Sequence, residues 1–409
     1  MSATAQRQTE SRLVGEVLAA LARPEGRADP YPQYTRLRAF GPAAIAPDGS
    51  LVVSGYRLAA AVLRDHRLEK HPEPVLIAAG HANWRERPAL RLMFESMLLI
   101  NPPAHTRLRR LVSGAFTVRR VAALAPAVRR IVAELVTAMS GPVDFVQAFA
   151  FPLPVTVIGE LLGIPEVDRP MFQTLVRDWT NVLDRLDADT VNRADPAAVL
   201  IADYLTDLAD ERRKDPRTDL VSALVVPVDG EPGMTGEEVV TMAALLLAAG
   251  FETTTGLLSN GLLALLNHPE QADELRARPE LAGEAVEELL RFDSPVQMLT
   301  SRAAPVTIEV AGRELPAGQR VVTVLGAANR DPEVFDEPDR LVLDRGGEPA
   351  VSFGGGLHYC LGAPLARLEA RLAFPALLTA FPRLALAGEP VWKDGLVLHG
   401  HTALPVSAD

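Results

Sequence analysis

A single cysteine lies in a glycine-rich loop directly before a predicted helix. The segment 353–364 reads FGGGLHYCLGAP, and Cys360 is the only cysteine among 409 residues. Residues 362–381 have helical periodicity, with Pro364 in the first turn, where proline is tolerated. Backbone amides and the helix dipole at such an N-terminus stabilise an anion, which favours the thiolate form of the cysteine. This thiolate is a candidate metal ligand, nucleophile or redox thiol.

The cysteine by itself leaves several interpretations open. A lone cysteine forms no intrachain disulfide and no cysteine-based zinc cluster, and most lone cysteines are inert core residues. A nucleophile would need a histidine base and a third orienting group, whose proximity the order of residues along the chain does not reveal. The three glycines do not form a dinucleotide fingerprint, because Tyr359 stands where the last glycine is required.

Six positions of this segment resemble the heme-binding signature of the cytochrome P450 family: Phe353, Gly354, Gly356, His358, Cys360 and Gly362. The resemblance implies that heme b (iron protoporphyrin IX) binds here. Cys360 would be the thiolate ligand of the iron, and its electron-rich sulfur would favour cleavage of the O–O bond. Phe353 would pack near the sulfur, and His358 would face a heme propionate. Gly354 and Gly362 would let the backbone pass closely beneath the flat cofactor.

A long helix is predicted over residues 237–266, about 45 Å in length, with Thr235 as its cap and an acidic first turn. Its middle reads AAGFETTTG, so an acid and three hydroxyls interrupt an otherwise apolar helix. Such groups are costly if they are buried without partners. The threonines could bond back to the carbonyl one turn earlier, and Glu252 could reach an arginine at the rim of the protein.

The same segment resembles the helix that lies over the heme in cytochromes P450. The resemblance implies that Thr253 and Glu252 are the catalytic alcohol and acid, which hydrogen-bond the activated dioxygen and deliver protons to it. Ala249 and Gly250 would contact the heme, and Gly250 together with the hydroxyls would open the helix to admit dioxygen and water. Phe251 departs from the family pattern, because many bacterial members have histidine there.

Glu288 and Arg291 are three residues apart in a predicted helix and therefore share one face, as in many surface ion pairs. In the P450 family the corresponding pair is buried behind the heme and is joined by an arginine from a later loop. The resemblance assigns that third place to Arg340. We therefore expect these three residues to form a structural trio that holds the scaffold of the cysteine loop.

Residues 101–110, NPPAHTRLRR, place His105 and Arg109 on one face of a helix, a pattern most often found on solvated basic surfaces. The resemblance implies instead that both residues neutralise heme propionates, and that Arg302 contributes a further cation. Two buried carboxylates need such partners, because a carboxylate without a cation is expensive to bury.

The overall composition limits the possible partners and location. A formal charge of −11 argues against general nucleic-acid binding, and the polar segment 1–25 has no signal-peptide core. The longest apolar stretch, 242–266, is interrupted by an acid, three threonines and an asparagine, so we expect no membrane span and a cytoplasmic protein. Lysine is rare, which we attribute to a GC-rich bacterial genome; it occurs only at Lys70, Lys214 and Lys393.

The fold expected from pattern and resemblance is mainly α with a small β-rich region, a single cytochrome P450 domain over residues 1–409. No linker, low-complexity run or internal repeat divides the chain. Helices are predicted at 125–139, 197–213, 237–266 and 362–381, and Pro375 should kink or shorten the last one. Strands are predicted at 51–54, 306–310 and 321–325.

The implied reaction is monooxygenation: the protein activates O2 with two externally supplied electrons and hydroxylates or epoxidises a lipophilic small molecule. The expected pocket walls are mostly apolar, in the segment 84–100 and at Leu245, Ala248, Val296, Gln297 and Met298. This chemistry resembles that of bacterial family members that act on secondary metabolites, such as a polyketide, terpenoid or steroid.

The electron donor must be a separate protein, because the chain has no flavin or iron–sulfur segment. A ferredoxin and its NAD(P)H-dependent reductase are expected. Docking is expected beside Cys360, on a basic patch formed by Arg109, Arg110, Arg367 and Arg371.

Three alternatives to this function remain open at the level of sequence. A peroxide-driven peroxygenase keeps the heme, but such family members tend to lack the acid–alcohol pair that Glu252 and Thr253 provide here. A non-catalytic heme sensor would keep the fold and lose turnover. A cysteine-nucleophile enzyme would bind no heme at all.

Overall fold

The computed structural model describes residues 3–226 and 233–408. Over these residues the protein is mainly helical with a small β-rich region, which confirms the predicted fold class. The α-helices, numbered in chain order, are α1 (Ala3–Leu21), α2 (Pro24–Ala28), α3 (Tyr31–Arg38), α4 (Tyr56–Arg64), α5 (Glu73–Ala78), α6 (Pro88–Phe94), α7 (Ala104–Ser113), α8 (Val118–Ala123), α9 (Ala125–Ala138), α10 (Pro152–Leu162), α11 (Phe172–Thr180), α12 (Ala188–Lys214), α13 (Leu220–Val225), α14 (Gly236–Asn267), α15 (Pro269–Ala277), α16 (Ala282–Phe292), α17 (Leu325–Ala328) and α18 (Ala363–Ala380).

The strands are short and form four small sheets within the described residues. They are β1 (Ala43–Ile45), β2 (Leu51–Val53), β3 (Glu69–Lys70), β4 (Gly141–Asp144), β5 (Met298–Ala303), β6 (Ile308–Val310), β7 (Arg313–Leu315), β8 (Arg320–Val324), β9 (Ala385–Leu386), β10 (Val391–Trp392), β11 (His401–Ala403) and β12 (Pro405–Ala408). The largest sheet has the order β1-β2-β8-β5-β3; its β2–β8 pair is parallel and its other pairs are antiparallel. The others are β4-β12-β9, β6-β7 and β10-β11.

The long helix α14 confirms the prediction for 237–266, with one more residue at each end. Thr235 and Glu238 form a reciprocal capping box that satisfies the first backbone amides. Length and composition alone would allow α14 to cross a membrane, but 78% of its apolar window is buried inside the protein. The helices α10, α12, α16 and α18 pack around it, so α14 is the central helix of the core.

Other predicted elements are also present, with shifted ends. Helices α9 and α18 lie within one residue of the predictions at each end. Helix α18 continues through Pro375 to its end, so this proline does not shorten it. Helix α12 starts at Ala188 instead of 197, because the Asp187 side chain accepts a hydrogen bond from the Thr190 amide and caps an earlier first turn. Strands β2, β6 and β8 match the three predicted strands.

The hydrophobic core has one large cluster and two smaller ones. The large cluster fills the space between the helices around α14. The smaller clusters lie on opposite faces of the five-stranded sheet, one against α4 and the other against α1 and α3. The cysteine loop leads into α18, which packs on α14 and α16, so the loop is anchored to the largest part of the core.

Candidate active site around the cysteine loop

The loop at 351–362 folds back on itself before α18. The Cys360 amide donates to the Phe353 carbonyl at 3.0 Å, and the Gly354 amide donates to the Val351 carbonyl at 2.8 Å. Gly356 has φ +62° and lies so close to α4 that a Cβ there would be 2.7 Å from the Leu63 carbonyl oxygen. Glycine is required at this position both by the backbone angle and by the close approach. The loop is thereby held against the end of α4.

The Cys360 sulfur lies at the start of α18, where two opposing effects act on it. Burial raises the pKa of the Cys360 thiol, while hydrogen bonds from the Gly362 and Ala363 amides and the charges of Arg109 and Arg367 lower it. Burial dominates, so the helix terminus alone does not produce the thiolate that the sequence led us to expect. A thiolate here needs a further positive charge at the sulfur, and a bound metal ion supplies one. A raised thiol pKa is unfavourable for a nucleophile.

Phe353 lies within the loop, between Tyr359 and Arg367. Its ring centroid is 6.4 Å from that of Tyr359, and the Arg367 guanidinium stacks over it at 4.4 Å. Arg367 also forms an ion pair with Glu287 and donates to the Tyr359 hydroxyl at 3.1 Å. The ring is therefore fixed from one side by an arginine that is itself held in place.

Five basic side chains gather next to the loop: Lys70, His105, Arg109, Arg302 and His358. The His105 and His358 rings are 4.3 Å apart, and Arg109 donates to the Tyr359 carbonyl at 2.8 Å. Lys70 and Arg302 are neighbours across the β3–β5 pair. Four of these residues had been expected near a propionate, and the structure brings all four together.

No carboxylate of the described residues pairs with any of these five groups, which we call the cation cluster. Asp65, whose charge reaches Arg302, is ion-paired with Arg67 instead. Both His105 ring nitrogens and the Arg302 Nε are buried without a hydrogen-bond partner in the described structure. Buried cations and orphaned donors of this kind are unfavourable unless an anion completes them. The cation cluster is therefore chemically suited to bind carboxylates.

The mutual repulsion within the cation cluster is visible in its pKa values. Burial, followed by the charges of Lys70, His105, Arg302 and Arg109, lowers the pKa of His358 to about 2. Burial and Arg302 lower the pKa of Lys70 to about 7. An anion bound among these groups would reverse both shifts.

Lys70 was missed by sequence reasoning. It is only 7% exposed, and its backbone is fixed by two hydrogen bonds with the Asn101 side chain, 2.7 and 2.8 Å long. The rarity of lysine in this chain could have pointed to it. Two of the three lysines, Lys70 and Lys393, lie near the site with little exposed side chain.

The distal helix α14 is accessible in its middle on one side. Residues 242–248 and 254–262 are buried, whereas Ala249 is exposed and Gly250 and Thr253 are half-buried. The Thr253 hydroxyl donates to the Ala249 carbonyl at 3.0 Å, the back-bond expected for a threonine within a helix. Ala249 and Thr253 therefore share one accessible face of an otherwise buried helix.

Gly250 differs from the expectation. Helix α14 is continuous through Gly250, and a Cβ at this position would lie 2.7 Å from Ile158 Cγ1 on α10. Phe251 packs in the same direction, edge-on to Phe151. The glycine thus allows the close approach of α10 and does not open the helix.

Glu252 reaches a lysine and not an arginine. Its Oε1 lies 2.5 Å from the Nζ of Lys393, which follows β10 near the C-terminus. Both side chains are about nine-tenths buried, at 10% and 12% exposed. Lys393 is 141 residues away along the chain, so no local sequence pattern indicates this ion pair.

The structural trio is correct for two of its members and wrong for the third. Glu288 and Arg291 form a bidentate pair, with N–O distances of 2.7 and 2.8 Å, and both are 3% exposed. Arg345 completes the trio at 3.0 Å from Glu288. The Arg340 side chain is 64% exposed and pairs with Glu337, while its carbonyl accepts from Arg291 at 3.2 Å. Arg340 thus contributes its backbone and not its guanidinium.

The expected pocket residues divide into two groups. Leu245 and Ala248 are buried in the large core cluster, and Val296 is half-buried and bridges to Leu398. Gln297 donates instead to the Ser294 carbonyl at 2.8 Å.

Met298 is also turned away from the cysteine loop, because it packs in the core cluster of α1 and α3. Its neighbour Leu299 is half-buried and lies 3.9 Å from the Cβ position of Gly354. Leu299 is therefore the residue of this strand that faces the loop, and Met298 points to the opposite face of the sheet, because successive side chains of a strand alternate between its faces.

The family model described as Cytochrome P450 matches residues 44–393. This chain belongs to the cytochrome P450 family. It is a P450 monooxygenase, and heme is the cofactor of the family. The residues present fit a heme, because the cation cluster suits its two propionates and Cys360 offers one sulfur donor.

Relatives of this P450 are bacterial. The chain is 43% identical to "Cytochrome P450 monooxygenase PikC" of Streptomyces venezuelae over 93% of this chain and 91% of that protein. It is 38% identical to the "6-deoxyerythronolide B hydroxylase" of Saccharopolyspora erythraea, over 93% and 96% respectively. The solved structure of the bacillaene polyketide synthase cytochrome P450 PksS of Bacillus subtilis superposes with a TM-score of 0.84 at 34% identity, over 95% of this chain and 99% of that one.

Proposed function

We propose that this P450, a single domain over residues 1–409, binds heme b through the Cys360 sulfur and inserts one oxygen atom of O2 into a polyketide-type secondary metabolite. The observation that carries the proposal is the cation cluster beside Cys360, because its buried basic groups, which no carboxylate of the described residues pairs, call for a dianionic cofactor at this position. The names of two relatives, a 6-deoxyerythronolide B hydroxylase and a polyketide synthase P450, support the substrate class.

Each group at the site has a separate task in this proposal. Heme, when bound, supplies the redox chemistry that activates dioxygen. Cys360 would ligate its iron, and the cation cluster would bind and orient its propionates. Thr253 presents a hydroxyl on the accessible face of α14, beside Ala249. Glu252 is the nearest acid along the helix and supplies protons toward that hydroxyl.

The substrate is expected to lie on the Thr253 side against apolar side chains. Leu245, Ala248, Val296 and Leu299 are the candidate walls, and they favour a lipophilic ligand. Gln297 and Met298 are excluded from this set by their contacts elsewhere.

We infer that the electron donor is a ferredoxin, kept reduced by an NAD(P)H-dependent reductase, and that it docks over the cysteine loop in the cytoplasm. Leu357 and Tyr359 are exposed apolar residues on this loop, at 44% and 40%, and Arg110 is exposed nearby. Arg367 contributes less free charge than expected, because Glu287 pairs with it. An apolar centre with a basic rim suits a small acidic protein.

The docking surface is tested with Arg110→Glu. Charge reversal should slow reduction by ferredoxin several-fold and weaken its salt dependence, because the change affects association and not chemistry. Arg12→Glu, on α1 at the N-terminal end of the fold, is the control and should leave the rate unchanged. Equal rates in all three proteins, measured by stopped flow under carbon monoxide, would rule out this surface.

The central test has two steps. The dithionite-reduced protein with carbon monoxide should show the strongly red-shifted Soret band of thiolate ligation. With ferredoxin, reductase, NADPH and isotopically labelled O2, 6-deoxyerythronolide B should gain one labelled oxygen atom. Testosterone, a steroid, is tested in parallel and should be oxidised more slowly. Labelled product from peroxide alone would identify a peroxygenase. Efficient reduction without product from any lipophile would identify a non-catalytic heme protein.

A further inference from the structure

Lys393 directly follows β10, in the irregular connection that leads to β11. Its amide donates to the Gly400 carbonyl at 2.9 Å, so its backbone is tied to the opposite arm of the hairpin. Its ammonium reaches Glu252 at 2.5 Å, across the interface between this hairpin and α14. A C-terminal hairpin therefore delivers one buried cation to the acid of the distal helix.

The hairpin follows one face of α14. A Cβ at Gly256 would lie 2.9 Å from the His399 carbonyl, and the Asn260 side chain donates to the same carbonyl at 3.3 Å. Glu252, Gly256 and Asn260 are spaced four residues apart and hence line one face. Thr253 lies on the neighbouring face, which is the accessible one. Glu252 is thus held at the boundary between the hairpin and the site.

The charges facing Lys393 come from three elements. Glu252 lies on α14, Asp184 lies before α12, and His401 lies on β11. Asp184 is held by the amides of Leu396 and Val397, and burial raises its pKa, while these hydrogen bonds and Lys393 lower it.

The imidazole of His401 does not help Lys393 to compensate the charge of Glu252. Burial lowers the pKa of His401 to about 3, so this ring is neutral. Lys393 is therefore the cation that compensates Glu252 among the described residues, where no other ion pair to Glu252 is formed.

We propose that Lys393 is a positioning residue for proton delivery: its ion pair holds Glu252 in place beside the accessible face of α14. A carboxyl group held there can accept a proton from solvent and release it toward Thr253, whereas an untethered one does not keep the geometry that this transfer needs. Each cycle forms one O–H bond on Glu252 and then breaks it. The inference rests on the proposed function, because it assigns a task to the same site.

Lys393→Met removes the cation and leaves Glu252 buried without its ion-pair partner. The protonated carboxyl band of Glu252 should then be stronger at neutral pH than in wild type, as for a carboxylate that loses its opposite charge. The measurement is an infrared pH titration of the protonated carboxyl band, which is assigned by its loss in Glu252→Gln. Lys393→Arg should keep the wild-type titration, because it restores the charge.

The same variants are compared in NADPH-driven turnover with ferredoxin, reductase and 6-deoxyerythronolide B as the probe. Lys393→Met should release a larger fraction of its electrons as hydrogen peroxide, by at least about threefold, and should show a larger solvent deuterium isotope effect. Lys393→Arg should resemble wild type in both. If Lys393→Met folds poorly, it is replaced in these comparisons by the double variant Lys393→Met/Glu252→Gln, which has no unpaired charge at this position.

Unchanged carboxyl titration and peroxide release in Lys393→Met would overturn the proposal and reduce the ion pair to a structural clamp. Failure of the proposed function looks different: wild type itself would lack the red-shifted carbon monoxide band or would not oxidise NADPH. The infrared titration needs no turnover, so it still reports on Lys393 in that case.

Discussion

On the cysteine side of the site, five basic groups lie together and no carboxylate in the described part of the chain pairs with them, whereas on the distal-helix side the buried acid Glu252 has its own lysine. The first arrangement is incomplete in the protein alone, because buried cations and unpaired donors are unfavourable. The second is complete, because each charge has a partner. The difference indicates that the cysteine side is built around an anionic ligand. On the distal side, the protein itself holds the acid Glu252 in place through Lys393.

Cys360→Ser should produce the largest effect and acts on the ligand-binding side. Serine preserves size and the amides of Gly362 and Ala363 but removes the soft thiolate donor. The red-shifted carbon monoxide band should disappear, and turnover should fall by more than the roughly 10–100-fold that outer-sphere changes cost. A variant with an unchanged carbon monoxide spectrum would mean that Cys360 is not the ligand, while far-ultraviolet circular dichroism checks that the fold is intact.

Arg345→Met should have the next largest effect, this time on stability. It removes one of the two arginines that pair with the buried Glu288; because Arg291 stays bound to Glu288, the loss should be smaller than the roughly 3–5 kcal/mol of breaking a buried pair outright. Arg340→Met is the matched control, since that guanidinium is 64% exposed and should change the free energy of unfolding by less than about 1 kcal/mol. Urea unfolding of the heme-loaded proteins measures both. A larger loss for Arg340→Met would restore the trio expected from sequence.

Arg340 and Arg345 show which parts of the site could be predicted from the sequence and which could not. The helix α14, the capping box and the Glu288–Arg291 pair follow from local spacing, so they were predictable. Arg340 and Arg345 both lie in one irregular loop, and the fold of that loop decides which guanidinium points inward and which contributes only a carbonyl. Lys70 and Lys393 lack any local pattern, because their importance arises from strands and hairpins that meet the site from distant parts of the chain.

Lys70→Met tests the cysteine side alone, because it removes one cation from the cation cluster and leaves the Glu252–Lys393 pair intact. Loss of one desolvated cation should weaken heme binding by about 10–100-fold, which corresponds to the roughly 1.5–3 kcal/mol of a hydrogen bond to a charged group. Heme transfer to apomyoglobin measures the affinity. Lys70→Arg should retain most of it. If Lys70→Met keeps the wild-type transfer rate, then Lys70 does not bind a propionate.

The same residue predicts a pH dependence. The pKa of Lys70 is lowered to about 7 without an anion, and a bound carboxylate must raise it, so heme binding takes up a proton above that pH. Heme affinity should therefore be constant below about pH 7 and fall as the pH rises, by at most about tenfold per unit. Lys70→Met should remove this fall. A slope of opposite sign in wild type would contradict the assignment.

Gly250→Ala has the smallest expected effect and belongs to the distal side. The new Cβ would meet Ile158 at 2.7 Å, and overpacking of this kind costs about 1–3 kcal/mol. Gly283→Ala is the matched control on α16, where nothing lies within 4 Å of the added carbon, and it should stabilise by about 0.5–1 kcal/mol. Urea unfolding measures both changes.

The Gly250 substitution also separates the two explanations of this glycine. If it serves only the approach of α10, the free energy of unfolding falls while heme affinity and the carbon monoxide spectrum stay at wild-type values. If it instead opens the helix for the cofactor or dioxygen, as its sequence context implied, heme binding or turnover changes with little loss of stability. The first result is expected, because Ile158 contacts the glycine directly and α14 is continuous there.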